Sequence, residues 1–194
     1  MNAKDAIVTR RSCRKYKDKE VPKEIIEDLI LAGRTAPTAK NRQEIKFYVI
    51  ANDRKRIHAI GEKVMENRAK LGKFGGWIDE FKKKYEIDDV IFYDPPCMIA
   101  LVADKNADPK VKEWYGMDGG IAVGNIITMA TSYGLGSVPI GIANILNQQA
   151  VLEGIGADKD KEELLLVISF GYPVDGYKEK YVNPKPLTSF VKYV

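Results

Sequence analysis

Arg10-Arg11-Ser12-Cys13-Arg14 places three guanidiniums and a hydroxyl within five residues. A guanidinium is always charged, and it donates through a planar fork that suits phosphate oxygens. The segment Ala36-Pro37-Thr38-Ala39-Lys40-Asn41-Arg42-Gln43 combines small residues with two side-chain amides. Amides present a donor and an acceptor together, as the edge of a heterocycle requires. A third segment, Gly134-Leu135-Gly136-Ser137-Val138-Pro139-Ile140-Gly141, has glycines that permit close approach of backbone to a ligand. Its spacing matches neither the dinucleotide nor the P-loop fingerprint. Taken singly, each segment also reads as ordinary structure: a solvated basic turn, a proline-initiated connection, and a turn between helix and strand.

The remaining chemistry is sparse. One histidine, His58, and two cysteines, Cys13 and Cys97, make neither a zinc site nor a disulfide framework. A Ser-His-Asp catalyst would have only His58 as its base. His58 lies on a charged helical pattern and reads as a surface residue, and the two thiols read as packing groups. A bound cofactor is therefore expected to carry any chemistry, with no metal and no catalytic side chain.

The 194 residues suit one domain, and the mixture of 45% apolar with 30% charged residues is that of a folded globule. Net charge is +4, but residues 1–74 hold 19 Lys/Arg against 10 Asp/Glu, so the first third should attract anions. No apolar run approaches the ~20 residues of a membrane span, and no signal peptide is visible. The expectation is a cytoplasmic protein with neither membrane nor nucleic-acid partners.

These segments need elements to hold them. Asn2 is placed to cap a helix over 3–10, and Pro22 opens a second that stops by Ala36, before Pro37. Residues 45–51 alternate as a strand. Asp53 caps a long helix that carries Ile57, Ile60, Val64, Met65 and Leu71. Residues 72–94 are aromatic and glycine-interrupted, and read as an excursion or lid with a short helix around Trp77, Ile78 and Phe81. The apolar runs 97–103 and 164–170 read as strands buried on both faces. Between them come a long helix over 110–133, closed by Gly134, and a short one capped by Asn147. The small residues Gly119, Gly120, Ala122 and Gly124 suit close approach of another backbone. The tail 174–194 has no pattern of its own. The sum is α+β or α/β, in one domain.

Together, in this order and spacing, the three segments resemble the FMN-dependent nitroreductase family. The first resembles its Arg-x-Ser-x-Arg start, the second its Ala-Pro-Ser/Thr-x-x-Asn-x-Gln loop, and the third its Gly-Leu-Gly followed by Ile-Gly. Asp118-Gly119-Gly120-Ile121-Ala122 with Asn125 resembles the family's core helix. Gly171-Tyr172-Pro173 and Pro184-Lys185-Pro186-Leu187 resemble its closing segment.

The resemblance implies an α+β, three-layer fold with a central mixed sheet flanked by helices, in an intertwined homodimer. Residues 1–194 would be one domain, with 72–94 a variable lid and 174–194 wrapping the partner subunit. It implies FMN at the subunit interface: Arg10, Arg11, Ser12 and Arg14 at the phosphate and the pyrimidine edge, with Arg14 near N1 and O2. Pro37, Thr38, Ala39, Asn41 and Gln43 would approach from the other subunit. Pro139, Ile140 and Gly141 would line the ring, and Lys185 would return to the phosphate. Phe74, Trp77 and Tyr93 could stack on a substrate. The implied reaction is ping-pong: NAD(P)H passes hydride to flavin N5, and a nitroaromatic or quinone acceptor then removes it. Flavin-fragmenting and dehalogenating relatives, and a flavin sensor without turnover, are the alternatives. The chain departs from the pattern in two places. Gly141 stands where many larger relatives have Glu, and Lys185 where Arg is usual.

Overall fold

The computed structural model describes residues 1–179 and 186–193, without the side chains of Lys73, Phe74 and Leu187. Among the described residues, seven α-helices and four strands follow one another as α1 (Ala3–Thr9), α2 (Lys23–Arg34), β1 (Lys46–Ile50), α3 (Arg54–Met65), α4 (Trp77–Tyr85), β2 (Cys97–Asp104), α5 (Pro109–Lys112), α6 (Tyr115–Ser132), β3 (Gly136–Ile140), α7 (Ile142–Ile155) and β4 (Glu162–Gly171).

The strands form one sheet in the order β1-β2-β4-β3. Strand β2 shows why its run is apolar throughout. Met98, Ala100 and Val102 enter one core layer with α3, α4 and α7, while Cys97, Ile99 and Leu101 enter the other with α2 and α6. Alternate side chains of a strand point to opposite faces, so a strand covered on both sides has no position to spare for water. This is the three-layer arrangement. The expected mixed sheet is antiparallel in all three ladders. Among the described residues its parallel component is one bridge, between Ser12 and Ser137. Burial on both faces, which usually marks parallel strands, here follows from two helical layers closing on an antiparallel sheet.

Local signals act where they stand in the chain. Asn2 Oδ1 accepts from Asp5 N–H at 2.9 Å, and Asp53 Oδ1 from Arg56 N–H at 3.0 Å. Asn147 leaves helical geometry inside α7 (φ −162°, ψ 78°), and its side chain caps the following turn through Ala150 N–H at 3.2 Å. Two expected helices are shorter. Helix α3 stops at Met65, and Leu71 lies on an irregular helical stretch broken at Gly72, whose φ is +48°. The helix expected over 110–133 is two: Lys112 Nζ binds Lys105 O and Glu163, which ties α5 to the neighbouring turn, and α6 starts afresh at Tyr115.

The small residues of α6 divide between two faces. Ala122 is buried, and a Cβ on Gly119 would touch Leu165 at 3.5 Å. Gly116, Gly120 and Gly124 open outward, flanked by exposed Trp114, Met117 and Ile121. No helix among the described residues is long and apolar enough to cross a membrane.

Candidate functional site

The basic segment is held by backbone. Ser12 bridges Ser137, and Cys13 N–H donates to Ser137 O at 3.0 Å. Residues 12 and 13 thus lie against Gly136 and Ser137 at the start of β3. A Cβ on Gly136 would fall 2.5 Å from Cys13 Cβ, so this glycine serves the packing of the basic segment against the strand. Gly134 closes α6 at φ +73°. Burial pushes the Cys13 thiol up to about 11, consistent with a packing role, and Cys97 is raised likewise.

Arg14 turns beneath the 72–94 excursion. Its guanidinium lies 5.8 Å from the Phe81 ring centre and 5.6 Å from that of Tyr93, and Nη1 meets Glu179 at 3.1 Å. Glu179 also accepts from Tyr177 Oη at 2.8 Å and Tyr85 Oη at 3.0 Å. Burial disfavours charge on both partners, but their neighbours outweigh it. Tyr93, Tyr85 and Glu179 raise Arg14 above its ordinary value, while the Tyr177 and Tyr85 hydroxyls with Lys84 and Arg14 lower Glu179. Arg14 Nε is buried with no partner among the described residues.

The amide-bearing loop lies elsewhere. It runs into β1, at the opposite edge of the sheet from β3. Three strand spacings separate the two edges, about 14 Å. Ala39 N–H donates to both carboxylate oxygens of Asp118, at 3.2 and 3.1 Å, in the first turn of α6. Gln43 Nε2 donates to Asn41 Oδ1 at 3.0 Å. Pro37, Asn41 and Gln43 are exposed. Beside them lies a cleft of about 370 Å³ lined by Thr38, Gln43, Phe47 and Asp118. Within one chain, then, the first and third segments meet and the second does not.

A nitroreductase family model matches residues 7–172. The chain belongs to the nitroreductase family. A "Putative NADH dehydrogenase/NAD(P)H nitroreductase" of Methanothermobacter thermautotrophicus is 26% identical over 90% of this chain and 79% of its own. The "FMN reductase [NAD(P)H]" of Bacillus subtilis is 26% identical over 96% of this chain and 77% of its own. The fold of a Bacteroides fragilis nitroreductase, crystallised with bound FMN, superposes with TM-score 0.80 at 19% identity, covering 100% of this chain and 99% of that one.

Against the nitroreductase pattern, several residues take unexpected places. Tyr93 is buried and faces Arg14, so its ring is committed to the core. Trp77 is edge-on to Phe81 at 5.1 Å. The Phe74 side chain and Lys185 lie outside what the structure describes. His58 is partly exposed, with Nδ1 at 3.0 Å from Asp94 Oδ1. Three residues gain importance that sequence reasoning missed. Glu179 sits in a tail without pattern, where nothing pointed to it. Asp118 was visible as a carboxylate among small residues. Asp89, buried beside Gly61 of α3, sat unnoticed in the excursion.

Proposed function

We propose that this nitroreductase acts as a homodimer that binds FMN between its subunits, takes hydride from NAD(P)H and reduces a small oxidised acceptor, a nitroaromatic or a quinone. One observation carries the reading. The Arg10–Arg14 segment adjoins β3, whereas the Pro37–Gln43 loop stands at the other edge of the sheet. The three segments can share a ligand when a second chain supplies the loop. The outward face of α6 supports such pairing, because Trp114, Met117 and Ile121 border open glycines, near exposed Ile7 and Val8 of α1. Exposed apolar surface of this kind marks interaction sites.

The residues present fit the cofactor. Arg10, Arg11 and Ser12 supply cationic and hydroxyl donors for its phosphate, joined by Lys185 on the strength of the family pattern. Arg14 keeps a buried Nε–H without a partner among the described residues in the same segment, a donor for the flavin's electron-rich edge. Pro139, Ile140 and Gly141 line one side of the ring, and Pro37, Thr38, Ala39, Asn41 and Gln43 reach it from the partner. When bound, the flavin supplies two-electron transfer, accepting hydride from the nicotinamide and giving it up to the acceptor in a second half-reaction. The chain's own part is to bind, orient and exclude water. The "FMN reductase [NAD(P)H]" relative supports the cofactor pair. Two free, buried thiols suit a reducing cytoplasm.

The visible spectrum of purified protein tests the reading, with anaerobic bleaching by NADH and by NADPH. Yellow protein of dimeric mass that bleaches is expected. A colourless protein that fails to take up added FMN overturns it. Arg14→Ala should weaken FMN binding by about tenfold or more, the loss of a hydrogen bond from a charged donor.

A further inference from the structure

We infer that Asp118 is a positioning residue whose buried carboxylate fixes the shape of the Pro37–Gln43 loop. The inference rests on the reading above, in which this loop reaches the flavin of the partner subunit. It adds to the site a residue that acts through the loop it holds.

The loop has an unfavourable backbone. Lys40, Asn41 and Gln43 have φ of 55°, 53° and 53°. That left-handed region is costly for residues bearing a Cβ. Three such residues in four positions persist only when their surroundings impose them. Bonds within the loop close it on itself: Asn41 N–H to Thr38 O at 2.9 Å, Gln43 N–H to Thr38 Oγ1 at 3.1 Å, and the Gln43–Asn41 amide pair. None of these fixes the loop to the body of the protein.

Asp118 does. Its side chain is buried, and its two oxygens share the Ala39 N–H directly before the left-handed residues. A charged acceptor makes this a strong bond. The residue sits on a rigid support. Asn125 Nδ2 of α6 donates to Ala32 O of α2 at 3.1 Å. Gly33 of α2 lies so close that a Cβ there would meet Ile126 at 2.9 Å and Phe47 at 3.0 Å. Helices α2 and α6 and strand β1 are therefore locked together beneath the loop, and the carboxylate transmits that rigidity to Ala39.

The test uses the whole 194-residue chain in four forms: wild type, Asp118→Ala, Asp118→Asn, and Asp53→Ala. The last removes a helix cap distant from the loop. Limited trypsin digestion, with cleavage sites located by mass spectrometry, reads loop opening after Lys40 and Arg42. FMN titration reads the site. Asp118→Ala should speed cleavage at these two positions by about tenfold and weaken FMN binding by a similar factor. Asp118→Asn retains an acceptor oxygen and should return both within about threefold of wild type. Asp53→Ala should lower the melting temperature while leaving both readouts unchanged. Equal loop cleavage in wild type and Asp118→Ala, with circular dichroism showing both folded, overturns the inference. So does a loss in Asp53→Ala as large as in Asp118→Ala. Failure of wild type to bind FMN would overturn the cofactor reading instead, and the digestion would still decide the role of Asp118.

Discussion

Two irregular stretches of this chain differ in how they are held. The excursion over 72–94 looks like a lid in the sequence, yet much of it is core. Ile87, Val90, Ile91, Phe92 and Tyr93 are buried, and Tyr85 joins Arg14 and Glu179. Its return turn is pinned as well, with Asp94 Oδ2 accepting from Asp88 N–H at 3.0 Å and His58 meeting Oδ1. The loop over 37–43 is small and largely exposed, and among the described residues its hydrogen bond to the body of the protein is the one to the Asp118 carboxylate. Burial fastens a segment through many side chains packed into the core at once. A single polar tie fastens it through one bond, which leaves its surface free to meet a ligand or a second chain.

The sharpest way to break this contrast is Phe92→Ala. If the excursion is core, removing a fully buried ring costs about 3–5 kcal/mol. A melting curve superposable on wild type would make the excursion a detachable cover. The next effect is in pH. Burial raises the Asp89 carboxyl from 3.8 to about 7, against the lowering bonds from Phe92 and Ile91 N–H. The folded chain therefore keeps a proton that the unfolded chain has released. The contribution of Asp89 to stability is greatest below the unfolded value and is lost as pH rises to about 7, by roughly 2–4 kcal/mol. His58, raised by its bond to Asp94, acts in the same direction, losing its contribution as pH rises through its folded value. Melting temperature should fall from pH 5 to pH 8, with a shallower fall in Asp89→Asn. Parallel curves for the two proteins would remove Asp89 from the account. The smallest effect is at the loop. Gln43→Ala should change stability by less than about 0.5 kcal/mol while weakening FMN about fivefold, one hydrogen bond's worth. A loss of stability rivalling that of Phe92→Ala would erase the difference between the stretches.

The elements were legible because each carries a short-range cause. Asn2, Asp53 and Asn147 cap by reaching three residues ahead, and the apolar runs of β2 and β4 can only be strands with no wet face. One boundary that moved has a cause outside its helix: Lys112 ties down α5 through Lys105 O and Glu163 of β4. Helix α3 ends at Met65, ahead of the irregular stretch that breaks at Gly72. The candidate site was legible as three segments whose guanidiniums, amides and glycines suggest their chemistry by type. Its organisation was not. That Gly136 makes room for Cys13, and that Arg14 faces Glu179 from 165 residues away, are facts of packing between distant parts.

By itself, then, the sequence determined the element types and the residues from which an anion and heterocycle site could be built. These depend on local geometry and on side-chain chemistry, which neighbours in the chain suffice to set. Only the tertiary structure decided that the basic segment joins β3 while the amide loop stands at the far edge. Strand order is settled by how the two faces of the sheet bury their side chains, and that is a property of the whole chain.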